Sequence, residues 1–211
     1  MISVKLNGEK FSCPSCWDEM KVRHYIRIIK EWEDGTDIAD RDYFKLANIL
    51  MDGKFTDFSK TTENQLTLID LVGWVITEPF DFDKALPKVL RFRDRNIDIP
   101  EDPRELSIGQ NIHLRRDYIE KSNKLEENIA IATAIYLQPI IDNSLFNMRK
   151  AEAIAKEIED LRIALIYPIG FFLLNRALKF GMPPEKTLLP IKTSLKKTLR
   201  TMLPGWLKSI F

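Results

Sequence analysis

Two cysteines separated by two residues, Cys13-Pro14-Ser15-Cys16, have the spacing of a thioredoxin-type redox pair, in which a helix N-terminus stabilises the first thiolate. The setting points instead to two ordinary thiols in a turn, because only a short alternating stretch precedes the pair and no strand-helix-strand unit surrounds it. A structural zinc site takes about four ligands, and only His24 and His113 are left to join Cys13 and Cys16. Carboxylates gather at Glu78, Asp81 and Asp83, and again at Asp94, Asp98, Glu101 and Asp102, where they could hold a divalent cation or supply an acid and a base. Lys84, Lys88, Arg93, Arg95 and Arg104 are interleaved with them, which is the pattern of a salt-bridged or interfacial surface. His113 and Asp117 stand four apart and can meet on a helix, yet no serine or cysteine nucleophile has a comparable partner. The chain has no Gly-rich phosphate loop, no HExxH and no nucleophile elbow. These residues point to no reaction, no cofactor and no metal, so the question of function moves to surfaces and contacts.

The elements that would carry those surfaces follow from periodicity. Ile2, Val4 and Leu6 alternate with Ser3 and Lys5, Asn7-Gly8 is a strong two-residue hairpin signal, and Glu9 to Cys13 can return as a second strand. After Pro14, a helical pattern runs from Trp17 to Trp32 and ends at Gly35. Asp40 can cap a helix over Arg41 to Met51, stopped by Asp52-Gly53, and a further helix is expected from Thr61 or Thr62 to Ile76. Between Pro79 and Asp117 four prolines punctuate the sequence, and Phe92, Asp94 and Asn96 alternate against Arg93, Arg95 and Ile97 without a clean apolar face. This predicts a loop-rich β insertion over about 79–105, with a strand pair around Val89 to Arg95, within a protruding segment of about 79–117. Helices resume at Ser107-Ile108-Gly109-Gln110 and continue over Leu125 to Leu137.

The stretch from Ala151 to Phe180 stands out, because a charged helical sequence runs into the most apolar patch of the chain. Asn143 or Ser144 is its candidate cap, a helix through Glu152 to Ile166 with Leu165 facing inward is expected at the centre of the core, and Pro168 with Gly170 predicts a kink or break. The apolar run is too short to cross a bilayer, which takes about 20 residues. The fold class expected is α+β, mainly helical, as one domain over 1–190 with a basic amphipathic tail at 191–211.

Composition sets the outer bounds. The 211 residues are 45% hydrophobic, with a mean hydropathy of -0.21 and no low-complexity segment, so the chain can bury a core. Thirty-two basic and 31 acidic residues leave a net charge of +1, which gives no overall field to recruit nucleic acid. The first residues lack an apolar leader and the two cysteines fit a reducing compartment. Charge is nonetheless uneven: from Lys186 to Phe211 there are six basic residues and no acid, beside an apolar stripe that includes Leu195, Leu199, Met202 and Trp206. The partner-binding residues expected on this basis are Arg93 and Arg95 in the insertion and Lys196, Lys197, Leu199, Arg200, Met202 and Trp206 in the tail. A nucleic-acid or membrane contact by the tail is the less favoured use of the same residues.

Two segments resemble a known group of proteins. The hairpin ISVKLNGEKFSCP followed by SCWDEMKVRHYIRI, with Pro14, Trp17 and Glu19 (or Asp18) in a "W-x-E" pattern, resembles the N-termini of small structural and tail-assembly proteins of tailed bacteriophages, notably crAss-like and related phages of Bacteroidota. Leu106 to Leu114, LSIGQNIHL, is similar to the "GQ-x-I-x-L" segment such proteins carry before their C-terminal helices. Cys13 and Cys16 are not part of the pattern. The resemblance implies a non-enzymatic virion or virion-assembly protein, a tail- or portal-associated ring protein or packaged cargo, located in the virion and in the host cytoplasm during assembly. Its partners would be other virion proteins and copies of itself, with no small-molecule substrate. A tail assembly chaperone absent from the mature particle, or a thiol- or zinc-dependent protein using Cys13 and Cys16, is the alternative.

Overall fold

Alternation builds the first element as expected: β1 (Ile2–Leu6) pairs antiparallel with β2 (Glu9–Cys13), in a register that sets Ile2 against Cys13 and Leu6 against Glu9. The computed structural model describes residues 1–6, 9–32, 42–53, 62–78, 85–102, 106–116 and 126–179. After Pro14 comes a short 3-10 turn, Trp17–Glu19, and then α1 (Val22–Trp32). The helical pattern read as continuous from Trp17 is thus interrupted at Met20, whose backbone is extended. α2 (Asp42–Leu50) follows close to its expected limits, and the span expected as one helix from Thr61 or Thr62 to Ile76 is two, α3 (Thr62–Val72) and α4 (Trp74–Thr77), divided at Gly73. Asp52 and Gly53 both take positive φ, 59° and 73°, and end α2 where Asp52-Gly53 marks a stop.

The chain then forms a second hairpin, β3 (Val89–Phe92) with β4 (Arg95–Asp98). Here the structure corrects the reading of a stretch without a clean apolar face. The two-residue turn at Arg93-Asp94 resets the alternation, so Leu90 and Phe92 fall on the same face as Ile97 and Ile99, and all four are buried. Both turn residues have positive φ, 49° and 57°, the geometry that glycine and asparagine favour. Asp94→Gly is therefore expected to raise stability by about 1 kcal/mol in urea unfolding, since the exposed Arg91–Asp94 ion pair it removes contributes little.

α5 (Ile108–His113), α6 (Ile129–Asp142), α7 (Met148–Ile158) and α8 (Ile163–Lys179) complete the fold. Among the described residues the architecture is mainly helical α+β with two small antiparallel sheets. Its centre is α6, buried over nearly its whole length and enclosed by α7, α8, α5 and β4. The span expected to form one central helix, Glu152 to Ile166, is two helices with a turn between them. Ala151, Ile154, Ala155 and Ile158 line the inner face of α7, and Ile163, Ile166, Tyr167 and Ile169 that of α8.

The turn between α7 and α8 exists because distant backbone satisfies it. The Val22 N–H donates to the Leu161 carbonyl at 2.9 Å, the Arg23 N–H to the Glu159 carbonyl at 3.0 Å, and the Ile163 N–H to the Met20 carbonyl at 2.8 Å. The unpaired donors at the start of α1 thus meet the unpaired acceptors at the end of α7. Two other expectations change in this region. The cap of α7 is Asn147, whose side chain accepts from the Lys150 N–H at 3.2 Å, while Asn143 ends α6 with φ 46°. α8 also runs on through Pro168 without breaking.

Leu165, expected in the core, is 44% exposed, because the turn before α8 rotates it away from Ile163 and Ile166. It lies in the first turn of α8, where a carboxylate meets the positive end of the helix dipole. Leu165→Asp is expected to leave the melting temperature nearly unchanged, an effect within about 0.5 kcal/mol.

Candidate functional site

Cys13 ends β2 and is fully buried, and burial pushes its thiol up to about 12. A redox or zinc-ligating cysteine needs the opposite shift, toward thiolate at neutral pH. Cys16 is half-buried, and both thiols are free. Among the described residues no three of His, Cys, Asp and Glu come together as a metal site.

A polar cluster surrounds His24, which is buried at 3% exposure. Arg23 donates to both carboxylate oxygens of Asp52, at 2.7 and 2.5 Å, and also reaches Asp160. His24 Nε2 lies 2.9 Å from Asp52 Oδ1, and its Nδ1 has no partner. Burial lowers the imidazole below its ordinary 6.5, with Asp52 opposing, so the ring is neutral and donates through Nε2. For Asp52 burial works upward, but the hydrogen bonds from Arg23 and His24 prevail and bring it from 3.8 to about 2. No nucleophile accompanies this pair among the described residues; it clasps α1 to the end of α2 and to the α7–α8 turn.

The cluster makes the fold acid-sensitive in two windows. A folded histidine with a depressed pKa binds fewer protons than its unfolded counterpart, so its share of stability is present above pH 6.5 and declines as the pH falls through that value. The share of Asp52 persists until the pH falls from about 4 toward 2. Melting temperatures recorded from pH 8 to 5 are expected to drop below about 6.5, and His24→Gln, which keeps an N–H donor for Asp52 but does not titrate, should flatten that limb.

α5 has a different construction. Ser107 and Gln110 form a reciprocal cap, with the Gln110 N–H donating to Ser107 Oγ at 3.3 Å and the Ser107 N–H to Gln110 Oε1 at 3.0 Å. Gln110 Nε2 reaches into α6 and donates to the carbonyls of Ile135 at 2.8 Å and Tyr136 at 3.1 Å. Pro139 lacks the N–H that would otherwise serve Ile135, so Gln110 supplies the missing donor. On the adjacent side of α5, Gly109 lies against the ring of Phe146, and His113 stands 5.6 Å from the same ring. The result is an inverted helix: the amide points inward, and Ile108 and Ile112 point outward at 80% and 50% exposure. Leu145, adjoining Phe146, is 92% exposed.

Of the residues expected to bind a partner, Arg93 is exposed at the hairpin tip and engaged in ion pairs within the chain. Its guanidinium pairs with Glu157 at 2.8 and 2.5 Å and with Asp142 at 3.4 Å, tying the hairpin tip to α7 and to the end of α6. Arg95 is exposed at the start of β4. Lys196, Lys197, Leu199, Arg200, Met202 and Trp206, with the whole tail, lie outside the described residues, as does Asp117. The residues of the two resembling segments have structural work here. Trp17 donates from Nε1 to the Glu78 carbonyl at 2.9 Å and meets Trp74 edge-on, while Glu19 accepts from the Ser15 N–H at 2.9 Å. The outward set Ile108, Ile112 and Leu145 was not anticipated from sequence, although a glutamine flanked by apolar residues four apart is a signal that could have raised it. No known family model, curated protein or solved structure matches the chain.

Proposed function

We propose that this chain is a non-enzymatic structural or assembly component of a tailed-phage particle, a tail- or portal-associated ring protein or packaged cargo, acting through protein–protein contacts. The observation that carries the reading is the inverted α5, a capped and anchored helix that turns isoleucines to solvent and its amide inward. A soluble monomer normally keeps such side chains scattered or covered. The phage setting is drawn from the resemblance of the N-terminal hairpin with Trp17 and Glu19, and of the α5 segment, to phage tail-assembly proteins. The partners in this reading are other virion proteins and copies of the chain.

Mass spectrometry of gradient-purified particles of the encoding phage is the test. The expected result is the chain at a fixed ratio to the capsid proteins. Its presence in infected cells but absence from particles would replace this reading with that of a departing chaperone.

A further inference from the structure

We infer that the outward face of α5, with Leu145, is a docking surface for an acidic amphipathic helix of a different protein; this rests on the reading of the chain as an interaction component. Ile108 and Ile112 are one turn apart on the same side of α5. Arg115 and Arg116 follow α5, with an Arg116 guanidinium nitrogen 3.5 Å from His113 Nδ1, and Leu145 immediately precedes Phe146, the ring that Gly109 and His113 meet. Ile108 and Ile112 thus stand on a helix fixed by the Ser107–Gln110 cap and by the Gln110 contacts to α6, and Leu145 on the segment that Phe146 packs against it. A rigid display loses little entropy on binding.

The rim identifies the occupant. Arg115 and Arg116 are exposed at the end of α5, and Arg149 is exposed in the first turn of α7, just after Leu145. Asp142, three residues before Leu145, is already engaged by Arg93 at 3.4 Å and Lys150 at 3.9 Å. An apolar centre with a cationic rim fits a helix that carries leucine-type side chains at i, i+3, i+4 and i+7 and carboxylates beside them. The chain's own C-terminal segment is a poor fit, since Lys186 to Phe211 contains six basic residues and no acid. Symmetric pairing of two copies through this face would set arginine against arginine. An anionic membrane is less suited because the set offers no indole or phenol ring to seat at a lipid interface.

The test uses the full chain and fluorescence anisotropy with a labelled synthetic helix of leucines at those spacings and glutamates elsewhere, beside a control with lysines for the glutamates. The glutamate peptide is expected to bind, and the lysine peptide to bind at least about 10-fold more weakly. Ile108→Ser with Leu145→Ser should abolish binding, Arg115→Glu with Arg149→Glu should reverse the peptide preference, and neither pair should move the melting temperature. Equal binding of both peptides, or binding unchanged in the serine variant, overturns the proposal. A serine variant with a lowered melting temperature would mean that the chain itself covers the face. Concentration-dependent sedimentation lost in that variant would assign the face to a second copy, and stronger sedimentation with phosphatidylserine vesicles than peptide binding would assign it to a membrane; each overturns the proposal. If peptides fail while purified particles contain the chain, only the docking proposal falls. If peptides bind and particles lack the chain, only the virion reading falls.

Discussion

Gln110→Leu is expected to destabilise the protein by about 3 kcal/mol, more than a change in a short surface helix ordinarily costs, because it withdraws a buried donor from two carbonyls and half of a capping box. Leucine matches the glutamine in bulk, so the cost comes from polarity and not from a cavity. The origin of the demand can be tested separately. Pro139→Ala restores an N–H to α6 at the position that serves Ile135, so in that background Gln110→Leu should cost at least about 1 kcal/mol less. Urea unfolding of the four proteins gives the coupling directly. Strict additivity would mean that Gln110 is held by its cap alone and that its reach into α6 is incidental.

The contact between α6 and α8 sets the second large effect. A Cβ on Gly170 would stand 2.5 Å from Cγ1 and 2.8 Å from Cδ1 of Ile129, and Cγ1 is too near the backbone to swing away. Helix propensity alone would make Gly170→Ala favourable by about 1 kcal/mol. The clash is expected to reverse the sign and leave a net loss of about 2 kcal/mol. Ile129→Ala vacates the space, so in that background the same substitution should become stabilising. A stabilising Gly170→Ala in the natural chain would show that the two helices move apart freely.

Local signals carried much of the fold into view. Asn7-Gly8 between alternating stretches, the Ser107 cap and the apolar stripe of Ala151, Ile154, Ala155 and Ile158 each specify their element with the residues at hand. What stayed hidden was whatever a distant partner decides. No glycine or proline marks the α7–α8 turn; it is held by the backbone of Met20, Val22 and Arg23, so Glu152 to Ile166 looks like one helix when read alone. The β3–β4 turn uses Arg93-Asp94 where Asn-Gly would have announced itself, and the guanidinium fixed to Glu157 and Asp142 accompanies that unfavourable backbone. At the candidate site the inversion of α5 was hidden for the same reason: the need for an inward amide is created by Pro139, almost thirty residues away. His24 was legible as a lone histidine but not as the partner of Asp52, whose position depends on how α2 ends.

The exchange between the start of α1 and the α7–α8 turn has a consequence for synthesis. Val22 and Arg23 emerge from the ribosome about 140 residues before Leu161 and Glu159, the residues whose carbonyls they meet. At roughly 5–20 residues per second, the first turn of α1 waits on the order of ten seconds for its acceptors. Until then α1 has its Arg23 and His24 contacts to Asp52 but not the α7–α8 turn, and Tyr25, whose ring meets that of Tyr167 in α8, lacks that cover. Folding of this chain is therefore closed from its far end, and a translational pause before codon 163 would lengthen the interval in which a nascent chain is open to chaperones.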